Sequence, residues 1–164
     1  MKPLRYVRAF LRARESRCLF DDMAIHPYSR SPADALRKVR RMRALLDAHG
    51  RGDAGLWLTE YGWTTGGDPS HRFHTSEPEQ ARRLVRMTRA LLRARASLRL
   101  RGIFWFSLRD APSEPDRQNW WGWGTGLLHQ DGSAKPAFHA YLKLARAAPN
   151  AAPSGRTRCL PSDR

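Results

Sequence analysis

The stretch Gly55-Leu-Trp-Leu-Thr-Glu-Tyr-Gly-Trp63 decides how the rest of the chain is read. It begins as an apolar run suited to a buried strand and ends by carrying a carboxylate and aromatics into a Gly-rich loop. Strict alternation puts Leu56, Leu58 and Glu60 on one face, with Trp57 and Thr59 on the other. Glu60 thus lines up with core leucines, yet it sits at the C-terminal end of the strand, where Gly62 breaks the pattern. In parallel α/β folds that end is where functional side chains collect. Glu60 reads either as a catalytic carboxylate or as a strand-end ion-pair partner for one of many arginines, and the catalytic reading is favoured.

Working outward, each flank of this strand is helical. Residues 31–49 open on Ser31-Pro32, a cap followed by proline at the first helical position, and close at Gly50. Leu36, Val39, Met42 and Leu46 form the buried stripe. Downstream, residues 61–75 make a polar, Gly-rich loop long enough to cover a site. Ser76-Glu77-Pro78-Glu79 then reads as a capping box, with Ala81, Leu84, Val85, Thr88, Leu91 and Leu92 buried behind it and arginines on the other face.

Two more strands bracket the central one. Residues 19–28 end in His26-Pro27-Tyr28, with Ala24, His26 and Tyr28 on one face and Met23 and Ile25 on the other. Residues 102–107 put Ile103, Trp105 and Ser107 on a common face. An amphipathic helix over residues 3–14 precedes the first strand. After the third come a loop with Trp120, Trp121 and Trp123, a turn at Asp131-Gly132, and a last helix from about Lys135 with Phe138, Tyr141, Leu142 and Ala145 on its apolar side. Residues 1–147 read as one unit, and 148–164, rich in Pro, Ser, Gly and Ala, as a disordered tail.

Alternating strands and helices predict a parallel sheet covered by helices, at the spacing of βα units in a (β/α)8 barrel. Three units do not close a barrel. The outer two strands are then edges, which predicts an aggregation-prone or oligomeric chain.

The 164 residues carry a net charge of +15, and 26 of the 30 basic residues are arginine. Such a balance raises nucleic acid as a partner. The arginines are spread over helices without an interleaved stacking motif, so solvated helix faces account for them at least as well, and nucleic acid is the less favoured reading. No apolar run is long enough to span a membrane. The N-terminus is basic but lacks an apolar core segment, so as written the chain is expected in the cytoplasm. Cys18 and Cys159 belong to no metal-type spacing.

Glu60, His26 with Tyr28, and Trp105 stand at three successive strand ends. Singly, each also reads as packing: a satisfied core histidine, a packing tyrosine, an interior tryptophan. Together with the order of Asp22-Met-Ala-Ile-His-Pro-Tyr28, Trp57-Leu-Thr-Glu-Tyr-Gly-Trp63, Gly102-Ile-Phe-Trp-Phe-Ser107 and Gly126-Leu-Leu-His-Gln-Asp-Gly-Ser-Ala-Lys-Pro-Ala-Phe138, the chain resembles the second half of the retaining glycoside hydrolases of clan A, TIM barrels of the cellulase and β-xylosidase type.

The resemblance covers most of residues 1–145 and implies an α/β partial (β/α)8 barrel running from helix 5 through helix 8. It implies that Glu60 is the nucleophile, attacking the anomeric carbon to form a glycosyl ester. His26 and Tyr28 would hold it ionised and aimed. Trp105 would be a sugar platform, and Trp63, Trp120, Trp121 and Trp123 could line further subsites or pack the loop. No metal or cofactor is implied, and the partner would be an oligo- or polysaccharide. Full-length members of the family are often secreted.

One departure matters. Retaining hydrolysis needs a second carboxylic acid about 5–5.5 Å from the nucleophile. In this clan it is the Glu of an Asn-Glu pair, and the only two asparagines here, Asn119 and Asn150, are followed by Trp120 and Ala151. The expectation is therefore the nucleophile half of the machinery, with a missing N-terminal half as its complement. A non-catalytic carbohydrate-binding or scaffold half-barrel is the alternative.

Overall fold

A computed structural model describes residues 3–13, 19–112 and 121–147. The tail assigned to residues 148–164, and Trp120 and Glu114, lie outside the described residues. The chain runs α1 (Pro3–Arg12), β1 (Asp22–Ile25), α2 (Pro32–Ala48), β2 (Gly55–Tyr61), α3 (Glu77–Arg93), the single turn α4 (Arg95–Leu98), β3 (Leu100–Trp105), a 3-10 turn at Trp121–Gly124, and α5 (Pro136–Ala147). The three strands form one parallel sheet in the order β1-β2-β3. This is the α/β arrangement expected, with successive strand–helix units.

The core lies between one face of the sheet and the helices. Leu56 and Leu58 of β2, Val39 and Leu46 of α2, and Met87 and Leu91 of α3 are fully buried together. Each such side chain contributes roughly 2 kcal/mol through the apolar surface it removes from water. A second cluster, with Leu84, Leu127 and Ala137, joins α3 to α5. On α5 the packed residues include Ala137, Phe138, Ala140 and Leu144, while Tyr141 is 37% exposed. The stripe therefore sits to one side of the expected 138/141/142/145 face. The opposite face of the sheet carries Ala24, Trp57, Thr59 and Phe104; there the Trp57 and Phe104 rings stack at 6.2 Å, and Phe104 is 51% exposed. Among the described residues, helices cover one side of this sheet, not both.

Strict alternation fails in β2. Leu58 pairs with Ile103 and Tyr61 with Trp105, so β2 spends three steps where β3 spends two. The extra residue is a β-bulge. It takes both Thr59 and Glu60 off the core face and puts Tyr61, 2% exposed, onto it. Tyr61 hydroxyl pairs with Thr88 Oγ1 at 2.8 Å, and burial pushes its pKa up to about 12. Glu60 is therefore not in line with Leu56 and Leu58 as the alternation implied.

Two helix starts behave differently. Ser31 caps α2, its hydroxyl accepting from Asp34 N at 3.2 Å. Ser76 makes no side-chain cap bond, and Glu79 does not reach back to close the expected box. Glu79 instead meets Arg82 at 2.7 Å, Arg83 at 3.2 Å and Arg86 at 2.5 Å. The Arg82 hydrogen bond foremost, with the other two guanidiniums, holds its carboxyl below the usual range.

At the N-terminal end of the sheet, Asp22 ties all three strands. It accepts from Gly55 N at 2.8 Å and from Trp57 Nε1 at 2.9 Å, and Arg101 Nε lies 3.6 Å away. Burial raises its pKa, but the Trp57 and Gly55 hydrogen bonds and the Arg101 charge outweigh that and leave it lowered. A depressed carboxylate stabilises the fold above its unfolded pKa, and the contribution fades as pH falls through the folded value. Asp22→Ala is expected to cost about 1–3 kcal/mol in urea unfolding at neutral pH by leaving two donors unpaired. The gap between parent and variant narrows in acid.

Candidate active site

The C-terminal ends of the strands bring one carboxylate together with a ring of aromatics. Glu60 is 34% exposed, and Tyr28 Oη donates to its Oε2 at 2.9 Å. His26 Nδ1 lies 3.4 Å from the same oxygen, and His26 Nε2 is 2.9 Å from Thr59 Oγ1. The bulge puts Thr59 and Glu60 on consecutive, outward positions, which lets one histidine span both. Oε1 carries no bond to the described residues, so one oxygen is held while the other stays available.

Tyr28 is fixed from behind. Its carbonyl accepts from Lys38 Nζ and, at 2.8 Å, from Ser29 Oγ. The next carbonyl, Ser29 O, accepts from Trp63 Nε1 at 2.8 Å. Burial, then the hydrogen bond and charge of Glu60, push the Tyr28 phenol far above its ordinary pKa, so it remains a donor throughout the working range of pH. Around it stand Trp121 at 4.6 Å, Phe73 at 5.8 Å and Phe106 at 6.4 Å, measured between ring centres. His71 stacks on Trp121 at 6.1 Å.

Of the aromatics singled out in the sequence, only Trp121 joins this ring; Trp120 is outside the described residues. Trp63 is 1% exposed with its indole N–H committed to Ser29 O, so it packs the core and presents no face to a sugar. Trp123 is 8% exposed and is likewise buried. Trp105 does not share a face with Tyr28. It packs edge-on to Tyr61 at 5.4 Å and against Trp63 at 6.2 Å, and its indole donates to Thr125 O at 3.0 Å. The strand-end aromatic that reaches Tyr28 is Phe106. It continues the 102/104 face of β3 opposite to Trp105, and that alternate face was the signal available in the sequence. Gly62 permits the approach, since a Cβ there would lie 2.5 Å from Phe106 O.

No family profile matches the sequence, and no curated protein is significantly similar to it. Solved structures are similar in fold. A family 39 glycoside hydrolase from the gut symbiont Bacteroides cellulosilyticus WH2 aligns with a TM-score of 0.59 at 23% identity, over 77% of this chain and 27% of the other. A GH5_18 from Bifidobacterium longum subsp. infantis gives 0.60 at 19% identity, over 82% and 32%. The Bifidobacterium dentium β-glucuronidase complexed with coumarin-3-O-glucuronide gives 0.59 at 20% identity, over 80% and 21%.

The likeness is to glycoside hydrolases. It is a likeness of fold, and the chain spans only 21–32% of the length of these three structures.

No second carboxylate among the described residues joins Glu60. Asp110, which follows β3, is committed elsewhere: its carboxylate meets Lys135 Nζ at 2.6 Å and accepts from Gly126 N at 2.7 Å. Lys135 is fully buried and also reaches Thr65 Oγ1 at 2.8 Å and Gly124 O at 3.2 Å. This lysine of the Lys-Pro-Ala-Phe segment is a strut between three loops. No group of metal-ligating side chains occurs among the described residues, and none of their helices is long and apolar enough to cross a membrane.

Proposed function

We propose that this chain is the nucleophile-bearing part of a retaining glycoside hydrolase barrel, corresponding to helix 5 through helix 8, with Glu60 as nucleophile. The observation that carries this reading is the Tyr28–Glu60 hydrogen bond at the strand ends, with His26 beside it and the other carboxylate oxygen unbonded among the described residues. A held, ionised carboxylate among aromatic faces suits attack on an anomeric carbon, followed by a covalent glycosyl intermediate. Trp121 and Phe106 are the faces on which an apolar sugar surface stacks. His26 and Tyr28 aim the carboxylate. The general acid would come from a complementary half of the barrel.

The glycoside hydrolase fold of the neighbours supports the substrate class, a glycan, without naming its sugar or linkage. A dinitrophenyl glycoside tests the proposal, because its leaving group departs without protonation. Intact-mass analysis is expected to show one sugar retained per chain and slow release, since no base activates water. An absence of adduct, or brisk turnover of a natural oligosaccharide, would count against it.

Tyr28→Phe keeps the ring and the backbone pins but removes one charge-assisted donor to Glu60. Losing such a bond is worth about 1.5–3 kcal/mol, so adduct formation is expected to slow about 10- to 100-fold. Stopped-time mass spectrometry against the parent chain measures this, and unchanged labelling would show that the hydroxyl does not position the nucleophile.

A further inference from the structure

Behind Tyr28 lies a cleft of about 250 Å³, with Tyr28 and Phe73 as one wall. Its remaining lining includes five cations, Arg30, Arg37, Lys38, Arg41 and Arg72, against the single carboxylate of Asp34. Asp34 is already engaged by Arg37 one turn along α2. Lys38 spends a hydrogen bond on the neutral Tyr28 carbonyl, and the carboxylate acting on its charge is Asp34, which it shares with Arg37. Arg72 lies 4.7 Å over the Phe73 ring, which holds a planar guanidinium against the wall.

We propose that this cleft is a subsite for an anionic sugar unit, carboxylated or sulfated, next to the one at Glu60. Tyr28 belongs to both: its hydroxyl meets Glu60, and it is one of the residues that line the cleft. A glycan whose reacting unit stands at Glu60 meets the cleft by way of Tyr28. Guanidinium groups bind carboxylate and sulfate oxygens in pairs, which gives direction as well as attraction. Burial, and then the charge of Arg72, hold the Lys38 ammonium below its ordinary pKa against the pull of Asp34. Like charges gathered at such a cost are relieved by a bound anion. The five cations line one small cleft and not a long strip, which suits a single anionic group better than a phosphate backbone.

The inference rests on the glycoside reading for its ligand class, and the test separates the two. Calorimetric titration of the full chain would compare trigalacturonate, a sulfated trisaccharide, the neutral galactose trisaccharide and a short DNA duplex. At least one acidic trisaccharide is expected to bind about tenfold or more tighter than the neutral one, and the stronger of the two names the anion. Arg30→Gln/Arg72→Gln is expected to lose at least tenfold for the acidic sugar and nothing for the neutral one. Equal affinities, no binding to any sugar, a preference that survives the double variant, or DNA displacing the sugar would each overturn the subsite. If the preference holds while Glu60 takes no adduct, the nucleophile reading falls and the subsite stands. If Glu60 is labelled but charge makes no difference, the subsite alone falls.

Discussion

Glu60→Gln is expected to take up no sugar from a dinitrophenyl glycoside under conditions that label the parent chain. The carboxamide oxygen can still accept from Tyr28, so the local geometry survives, but the group lacks the negative charge that forms the ester bond. The loss should exceed about 10³-fold, the scale on which removal of a nucleophile is felt. Peptide mapping of the parent adduct should place the sugar between Gly55 and Arg72. Labelling that persists in Glu60→Gln would remove this residue from the chemistry and leave its bond to Tyr28 as packing.

The second large effect concerns the fold. Lys135 is fully buried and joins Asp110, Thr65 and Gly124 O. Lys135→Met fills similar volume but leaves the Asp110 carboxylate, with a side chain 15% exposed, without its cation. Breaking a buried pair from one side costs about 3–5 kcal/mol, and the remaining exposure of Asp110 argues for the lower end. For a chain of this size about 3 kcal/mol corresponds to a drop in Tm of roughly 6–12 °C. Adding Asp110→Asn should recover part of the loss, because the amide oxygen still accepts from Gly126 N while no stranded charge remains. Thermal melts of the parent, both single variants and the double variant measure the coupling. A Lys135→Met chain as stable as the parent would show that the loops do not depend on this strut.

Much of the fold was legible because it is locally written. Ser31-Pro32 starts α2, Gly50 with φ of 72° ends it, and three apolar runs spaced by helices became three parallel strands. What failed depended on distant partners. Ser76 and Glu79 have the letters of a capping box, but Arg82, Arg83 and Arg86 lie on the same helical face and engage the carboxylate instead. Trp63 looks like a loop aromatic until Ser29, 34 positions earlier, claims its indole. The pairing of His26 and Tyr28 with Glu60 was expected from the family resemblance, whereas Phe106 lies on the face of β3 opposite to Trp105, the residue that the resemblance singled out. Lys135 stood out only as a letter in a motif, since nothing local shows that loops from three parts of the chain converge on it.

The extra residue between Leu58 and Tyr61 has a meaning beyond its own geometry. It makes the heading of Glu60 a matter of pairing with β3: the same letters in even pleating would turn the carboxylate inward, in line with Leu58, and Tyr61 outward. Loss of Thr59 would remove the extra residue and still leave Glu60 outward between Leu58 and Tyr61, whereas an insertion there would break that phase. The direction of the carboxylate is thus held by how β2 lies against its neighbour and not by the order of its own residues.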